Sequence, residues 1–486
     1  MMQVSDLTHV TTCKGRQYEL IRPPLGQGGQ GVVFRCKEDP ELLFKFVLND
    51  EKLIERDATD SAAKKMVEAV SRGLQEVKLL SLPDSCHVAR PQEELHRYVG
   101  YSMRMLRDMV PISNLIASPG EEISSFYITT GGLRRRLTLL HNLAKVFHDL
   151  HARGICYGDI SPANAYVSND TAYHEAWLID ADNMRIRACD RAVYTPWYGA
   201  PEVISGRCYP NMRSDSYSFA LLAWHVLAQV HAFMGAALDE DDDDWDADDW
   251  DDASSETSDD NRELQVQRGE HPWIHDESSA ANCTNNGLPL DLVCSPRLKK
   301  LFQQTFEQGR LDPSRRPSMA QWVDAFQRAE MCQIECPNPN CQGQYYPKAH
   351  CPWCQSEVPP MIHIESRLWL PEVDEGLSSE EERGALERAE VHARLICELP
   401  EDAHITLESP LTGAHGGPRF ELMYHADFIY IKIKDDAPMS LMLIKPGGRE
   451  LTLTADERFK CERGEQFWLH CGELSEPHRY LTFQRL

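Results

Sequence analysis

The sequence predicts an α+β chain in three successive parts: a large part that mixes strands and helices, a small cysteine-rich module and a C-terminal all-β sandwich. In the first 330 of its 486 residues, short apolar strands around a glycine-rich turn are followed by segments with helical periodicity. Four cysteines then fall within nineteen residues, at positions 336–354. Beyond residue 390, many short alternating or apolar runs are separated by glycine-containing turns. A chain of this length is expected to hold about three domains.

The glycine-rich turn and the strand after it predict a phosphate site. Gly26, Gly28 and Gly31, followed by Val33, fit the pattern GxGxxGxV, in which backbone N–H groups can approach phosphates. Such a turn is as often only flexible. Lys45 interrupts the next apolar run, and burying a lysine there is costly unless an anion meets it. The two features together indicate that Lys45 contacts phosphates, and a solvated edge strand is the alternative.

Apolar periodicity from residue 62 to residue 82 predicts a helix. Glu76 lies near the end of this helix and is the carboxylate that we expect to hold Lys45. Glu68 is the competing candidate.

A predicted loop places Asp159 and Asn164 five residues apart. An Asp can accept the proton of an attacking hydroxyl, and an Asn carbonyl can bind magnesium on the phosphates of ATP. The pattern D-x-x-x-x-N is common by chance. However, a downstream apolar strand ends at Asp180, whose carboxylate is the hard oxygen ligand that magnesium prefers. These residues together favour phosphoryl transfer.

The segment from Thr195 to Glu202, TPWYGAPE, is the most specific signal in the chain. It matches the end of a protein kinase activation segment, including the Ala-Pro-Glu triplet. Asp215 then opens an apolar helix, and residues 312–318 precede the last amphipathic helix, in the order found in that superfamily. Six partial matches in one order are hard to produce by chance. From residue 14 to residue 330 the chain therefore resembles a eukaryotic-type Ser/Thr protein kinase.

The resemblance implies a bilobal kinase fold, with an N-lobe over residues 14–106 and a C-lobe over residues 107–330. It implies ATP and magnesium as cofactors, and transfer of the γ-phosphate to Ser or Thr of a protein substrate. Small-molecule kinases share the lobe plan but lack the Ala-Pro-Glu segment, so its presence favours a protein substrate. Thr195 favours Ser or Thr as the acceptor.

The resemblance also implies a role for each matched residue. Asp159 would be the base, Asn164 and Asp180 the magnesium ligands, and Lys45, held by Glu76, the phosphate clamp. Nucleotide binding would also involve a phosphate lid and the purine-binding backbone with its gatekeeper Met103; the residues are Gly26, Gly28, Gly31 and Val33 for the lid, and Met103 and Met105 for the purine. Ser161 and Thr195 would position the substrate, and Glu202 and Arg316 would form a structural ion pair.

Three departures from the family pattern accompany these matches. Gly158 replaces the arginine that reads a phosphorylated activation loop, so we expect this phosphorylation not to be the switch. Ser161 replaces the lysine that steadies the transferred phosphate, and Ala181-Asp182 replaces Phe-Gly. A pseudokinase scaffold, which binds nucleotide or a partner without phosphoryl transfer, is therefore the alternative function. An enzyme that attaches nucleotide instead of phosphate is a third.

The formal net charge of −26 is concentrated in one segment. Residues 239–260 contain fourteen acidic residues and no basic one, which leaves 62 acidic and 50 basic residues elsewhere. This composition predicts a disordered acidic insertion over residues 239–262 of the C-lobe. It is either a solvated loop or, because it contains Trp245 and Trp250, a docking strip for a basic partner. The absence of a long basic patch argues against nucleic acid as a partner.

The sequence predicts a cytoplasmic protein without a membrane span. The amino terminus lacks an apolar core of signal-peptide length. The longest apolar run, residues 219–238, contains His225, Gln229 and His231, and is expected to be a buried helix. Most of the sixteen cysteines are scattered singly, which is typical of reduced cytosolic thiols.

Residues 331–358 are predicted to form a zinc ribbon. Cys336, Cys341, Cys351 and Cys354 form two closely spaced pairs, and four thiolates are a standard closed site for structural zinc. Two disulfides or unconnected thiols are the alternatives. The Cys-Pro-Trp-Cys ending after such a kinase resembles a group of bacterial kinase-like proteins, which implies a metal-dependent phosphatase and a von Willebrand A-type protein as partners.

Residues 359–389 are predicted to be a linker, and residues 390–486 a β-sandwich. The sandwich weakly resembles a forkhead-associated domain, although the residues that would bind phosphothreonine are not recognisable. We therefore expect a binding or regulatory module without an assigned ligand.

Overall fold

A computed structural model describes most of the chain. The described residues are 4–28, 31–49, 52–57, 64, 67, 68, 71, 75, 86–181, 184, 185, 194–239, 258–348, 350–358, 360–371, 391–398, 403–405, 420–433 and 441–486. The chain divides into two compact units, residues 1–326 and 327–486. The predicted site residue Glu76, together with Asp182 and most of the acidic segment, lies outside the described residues.

The first unit begins with an antiparallel sheet. In the part of the chain that the structure describes, seven strands form it in the order β1-β2-β3-β4-β7-β6, with β5 paired to β4. The strands are β1 (His9–Thr11), β2 (Gln17–Gly28), β3 (Gly31–Cys36), β4 (Leu42–Asn49), β5 (Lys52–Leu53), β6 (Pro91–Glu94) and β7 (Gly100–Arg104). β4 lies between β3 and β7 and is buried on both faces. This central position explains why its sequence is apolar except at Lys45 and at the terminal Asn49.

Helices dominate the rest of the first unit. They are α1 (Ile123–Thr129), α2 (Gly132–His151), α3 (Pro201–Ile204), α4 (Met212–Ala228), α5 (Ala236–Asp239), α6 (Ser258–Gln267), α7 (Leu290–Val293), α8 (Pro296–Gln303), α9 (Gly309–Leu311) and α10 (Met319–Met331). Strands β8 (Met109–Pro111), β9 (Ala165–Ser168) and β10 (Ala176–Leu178) form a small antiparallel sheet between them. Residues 64, 67, 68, 71 and 75 are also helical.

Helix α4 lies in the core of the first unit. It is apolar around its circumference, as expected for a helix that is surrounded by protein. Asn211 caps its N-terminus by accepting the N–H groups of Arg213 and Ser214. Gln229, with a φ of 60°, ends it, so the apolar run 219–238 is not one helix. Within the described residues, every helix falls short of the length or apolarity needed to span a membrane.

The predicted boundary of the acidic insertion is corrected at its C-terminal side. Residues 258–262, assigned by sequence to a disordered insertion over 239–262, belong to helix α6. The acidic sequence of residues 258–262 gave no indication of a helix, because the apolar residues that anchor α6 come only near its end, where Val266 is buried.

The second unit begins with the cysteine-rich module and continues into two sheets. The short strands β11 (Ile334–Glu335) and β12 (Gln344–Tyr345) pair in the module. Six described strands form one sheet in the order β14-β13-β22-β21-β18-β19, and four form the other in the order β15-β16-β17-β20. Their bounds are β13 (Met361–Trp369), β14 (Val391–Glu398), β15 (Ala403–Ile405), β16 (Phe420–His425), β17 (Phe428–Ile433), β18 (Leu441–Ile444), β19 (Glu450–Leu453), β20 (Glu457–Lys460), β21 (Gln466–His470) and β22 (His478–Arg485).

The two sheets share one apolar core, in which Ile364, Leu443 and Phe483 of the first sheet pack with Ile431 and Phe459 of the second. All of the pairings between their strands are antiparallel among the described residues. The C-terminal region is therefore all-β.

The prediction of a linker over residues 359–389 is wrong for its first part. Strand β13, residues 361–369, pairs with β22 on one side and with β14 on the other. Its inward positions include Ile362, Ile364 and Ser366, all fully buried. The polar Ser366 interrupts the apolar alternation, so the sequence pattern did not predict this strand.

A buried ion pair joins two distant parts of the first unit. The Arg316 guanidinium donates to both carboxylate oxygens of Glu202 at 2.6 and 2.7 Å. It also donates to the carbonyl of Gly309 and lies 4.6 Å from the centre of the Tyr217 ring. The Arg316 side chain is fully buried, so these contacts replace all of its hydration. The pair fixes α3, which follows the Thr195 segment, against the end of the first unit.

We predict that Arg316→Met destabilises the first unit by about 3–5 kcal/mol, because it leaves the Glu202 carboxylate buried without its cation. Arg315→Met is the matched control. Arg315 is exposed, its contact with Asp312 spans 3.6 Å, and its loss should change stability by at most about 0.5 kcal/mol. Urea unfolding followed by tryptophan fluorescence measures both variants. Equal midpoints for the two would contradict the prediction.

Candidate active site

Lys45 lies in the sheet beside the glycine turn. Its side chain is 6% exposed, which excludes the solvated edge strand that the sequence left open. Its ammonium group lies 2.8 Å from a carboxylate oxygen of Asp180. Among the described residues this is the carboxylate that pairs with Lys45, whereas Glu68 is exposed and Glu76 lies outside the described residues. Asp180 is thus an anionic partner of Lys45 that the sequence did not indicate, and the contact between Lys45 and Glu76 stays a prediction.

The glycine turn covers the lysine closely. Gly28 pairs with Gly31 and Gly26 pairs with Val33 where β2 meets β3. A Cβ at Gly31 would lie 3.0 Å from the carbonyl oxygen of Phe46 and 3.1 Å from Cε of Lys45. A side chain at position 31 would therefore fill the space next to the ammonium group.

Asp159 lies at the centre of a hydrogen-bonded loop and is 7% exposed. One carboxylate oxygen accepts the Thr195 hydroxyl at 2.8 Å, and the other accepts the Asn164 amide at 3.1 Å. The Asn164 amide also donates to the Asp159 carbonyl at 3.0 Å, which leaves its own carbonyl oxygen for another ligand. Burial raises the pKa of the Asp159 carboxyl, and the nearby Asp180 adds to this effect.

The buried carboxylate of Asp215, at the start of α4, also hydrogen-bonds to this loop. It accepts the backbone N–H groups of Tyr157 and Gly158 at 2.8 and 2.9 Å. The His151 side chain, from the end of α2, lies 3.0 Å from the same carboxylate. The loop leading to Asp159 is thus hydrogen-bonded to α4 through Asp215, which also contacts the end of α2.

These contacts and the sequence identify the family. A model of the protein kinase domain matches residues 20–326. The chain belongs to the protein kinase domain family. The serine/threonine-protein kinase pkn2 of Myxococcus xanthus is 33% identical over 110 residues, a match that covers 21% of this chain and 13% of that kinase. The chain thus matches well under two thirds of this relative's length.

The donor set of the kinase site fits magnesium and a nucleotide. The free carbonyl oxygen of Asn164 and the carboxylate of Asp180 are hard oxygen donors, the type that magnesium prefers. Lys45 supplies a buried positive charge for phosphate oxygens. On the same face of the sheet, Met103 is buried in an apolar cluster against which Val33 and Met105 pack.

Tyr157 and Ser161 flank Asp159 in the same loop, and both are buried. Ser161 is 1% exposed, and its hydroxyl has no hydrogen-bond partner among the described residues. The Tyr157 hydroxyl donates to the carbonyl of Ile179, directly before Asp180, at 2.5 Å. Tyr157 therefore ties the loop that carries Asp159 to the segment between β10 and Asp180.

Sequence reasoning missed the roles of Asp215, Tyr157 and His151. Asp215 was noticed only as the start of an apolar helix. An acidic residue in the first turn of a helix that is otherwise apolar was the available signal, because such a carboxylate needs buried donors.

The four cysteines of the second unit converge. Their Sγ atoms all lie within 4.8 Å of one another, with Cys336 and Cys354 at 3.5 Å and Cys341 and Cys351 at 3.8 Å. The backbone N–H of Asn338 points to Sγ of Cys336 at 3.4 Å. A hydrogen bond between the Cys354 and Ser356 side chains is the largest of the effects that lower the pKa of the Cys354 thiol, to about 6. Among the described residues, this cluster has the donors for a metal ion.

We predict that Asp215→Asn destabilises the first unit by about 2–3 kcal/mol, because the amide cannot accept from both N–H groups and His151 together. Asp149→Asn, on the same helix as His151, is the control, since the Asp149 side chain makes no hydrogen bond within the described residues. Thermal and urea unfolding measure the difference. If Asp215→Asn unfolds at the same midpoint as Asp149→Asn, the supporting role is wrong.

Proposed function

We propose that this chain is an ATP-dependent protein kinase that transfers the γ-phosphate of ATP to Ser or Thr of a protein substrate. The observation that carries the proposal is the buried Asp159 carboxylate, bonded to Thr195 and Asn164 and close enough to Lys45 and Asp180 to interact with both charges. A general base, a phosphate cation and two magnesium ligands are thereby assigned to one site.

Each group has a distinct role in this proposal. Asp159 accepts the proton of the attacking hydroxyl, and burial, which raises its pKa, makes it a better proton acceptor. Lys45 binds phosphate oxygens, and Asn164 with Asp180 would hold magnesium, which neutralises charge on the phosphates when bound. Gly26, Gly28 and Gly31 cover the phosphates. Thr195 orients the base, which supports Ser or Thr as acceptor.

The substitution of Ser161 for a lysine bears on the rate. The Ser161 hydroxyl is buried near Asp159 and has no hydrogen-bond partner among the described residues. It brings no positive charge. We therefore expect slower transfer than in kinases with a lysine at this position, rather than none.

We predict that the purified chain transfers label from γ-labelled ATP to itself or to a generic acceptor protein, and that Asp159→Asn lowers the rate at least about 100-fold, because the base is lost. Lys45→Ala, as a separate variant, should also lower the rate of transfer, because it binds the phosphates of ATP more weakly. Asp170→Asn, in an exposed turn, is the control.

Two outcomes would replace this proposal. Nucleotide binding without transfer under any condition would indicate a pseudokinase scaffold. Label that reaches the acceptor from α-labelled ATP, with the matching mass increase, would indicate nucleotide transfer instead. Activity that survives Asp159→Asn would overturn the assignment of the base.

We also propose that Cys336, Cys341, Cys351 and Cys354 bind one structural zinc ion. In a tetrahedral site with Zn–S bonds near 2.3 Å, sulfur atoms lie about 3.8 Å apart. The Cys336–Cys354 and Cys341–Cys351 Sγ–Sγ distances, 3.5 and 3.8 Å, fit this spacing and are too long for disulfides. Four cysteine ligands fill the coordination sphere, so the metal would stabilise the module without catalysis.

We predict one zinc ion per chain in protein purified without chelators, measured by elemental mass spectrometry. Cys351→Ser should lower zinc to less than about a tenth of this value, since removing one thiolate opens a closed site. Cys13→Ser, an exposed cysteine outside the cluster, is the control and should keep the metal. Zinc-free wild-type protein, or a Cys351→Ser variant that retains zinc, would refute the site.

Partners and location are proposed from sequence alone. They are a basic partner for the acidic insertion, a metal-dependent phosphatase with a von Willebrand A-type protein, and a cytoplasmic location. Deleting residues 240–257 and comparing recruitment in a pull-down tests the first of these.

A further inference from the structure

Trp197 has an unusual backbone conformation next to the catalytic loop. The N–H of Tyr198 donates to the carbonyl of Thr195 at 3.0 Å, which closes a turn over residues 195–198. Pro196 occupies the second position of this turn, and Trp197 occupies the third with a φ of 69°. These are the features of a type II turn, whose third position normally holds glycine. A bulky residue there is strained and persists only when its surroundings hold it.

Two side chains hold both backbone groups of Trp197. Its N–H donates to Oε1 of Gln267 at 3.0 Å, and its carbonyl oxygen accepts from Nε2 of His231 at 2.9 Å. Gln267 ends helix α6, 70 residues further along the chain. His231 is buried, and its Nδ1 accepts the N–H of Phe233. Its ring is therefore neutral, with one donor and one acceptor.

The direction of the Trp197 N–H is what distinguishes the two common turn types. Type I and type II turns differ by a flip of the central peptide, which here joins Pro196 to Trp197. A tryptophan at the third position would ordinarily take the type I form, with negative φ. The Gln267 carbonyl accepts the N–H only in the orientation observed, so it selects type II.

The turn is connected directly to the proposed base. Thr195 is its first residue, and the Thr195 hydroxyl donates to Asp159 at 2.8 Å. On the other side, the Tyr198 hydroxyl lies 2.7 Å from Nδ1 of His225 in helix α4. A flip of the central peptide would reverse the Trp197 N–H and, by changing the sign of its φ, redirect the Trp197 side chain between these two contacts.

We propose that Gln267 is a positioning residue for the protein substrate: it holds the Thr195–Tyr198 turn in the type II form in which the turn presents the acceptor to Asp159. This inference rests on the proposed kinase function. Gln267 acts through Trp197 and contacts neither nucleotide ligands nor the base.

The test compares three variants of the full chain. Gln267→Met keeps the length of the side chain but removes the acceptor, whereas Gln267→Glu keeps an acceptor for the Trp197 N–H. Gln265→Met is the matched control, because the Gln265 side chain, on the same helix, makes no hydrogen bond within the described residues. Phosphate transfer to myelin basic protein and hydrogen–deuterium exchange of the peptide that contains Trp197 are measured for each.

In Gln267→Met we expect kcat/KM for the acceptor protein to fall about five- to tenfold, as for one lost hydrogen bond, while KM for ATP stays unchanged. The Trp197 amide should exchange about tenfold faster. Gln267→Glu and Gln265→Met should match the wild type in both measurements.

These measurements distinguish a failure of the proposed function from a failure of the positioning role. If the wild type transfers no phosphate to itself or to the probe, the proposed function fails, and the positioning role fails with it. If the wild type is active but Gln267→Met and Gln265→Met behave alike, only the positioning role is refuted. Equal losses for ATP and for acceptor protein, or no rescue by Gln267→Glu, would also refute it, because a general destabilisation then explains the effect.

Discussion

The buried carboxylate of Asp215 sets the geometry on which the rest of the active site depends. A carboxylate 1% exposed to solvent is stable only if hydrogen bonds replace its hydration, and here two backbone N–H groups and the His151 ring do so. Because the N–H groups belong to Tyr157 and Gly158, the requirement of the carboxylate fixes the loop directly before Asp159. The position of Asp159 thus follows from the hydrogen bonds that the buried Asp215 carboxylate requires.

Helix α4 connects the loop that carries Asp159 with the Thr195–Tyr198 turn. Asp215 lies in its first turn, and the ring of His225, near its end, is hydrogen-bonded to the Tyr198 hydroxyl. The helix is buried along almost its whole length, so the distance between these two anchors is fixed by a rigid element. The catalytic loop and the Thr195–Tyr198 turn are therefore positioned by one helix, and the Thr195–Asp159 hydrogen bond joins them across the site.

The sequence predicts those parts of the site that depend on short motifs. Lys45, Asp159, Asn164 and Thr195 come together as their motifs predict, because each motif specifies a local backbone and a residue type. Contacts made across the fold could not be predicted in this way. Gln267 reaches Trp197 over 70 residues, and nothing in the helix sequence distinguishes it from Gln265. Strand β13 was missed for a related reason, since the burial of its Ser366 depends on neighbours that are distant in the chain.

The substitution at Gly158 gives these long-range contacts a particular importance. Gly158 has a φ of 89° and supplies the loop with an N–H group for Asp215 but with no guanidinium. The loop therefore has no cation at this position to meet a phosphorylated segment. The turn at Trp197 is instead held by neutral groups, the amide of Gln267 and the ring of His231, whose pKa burial lowers to about 3. Neutral hydrogen bonds in a buried site are insensitive to salt and form on folding, so the conformation of the Thr195–Tyr198 turn is set by contacts within the fold.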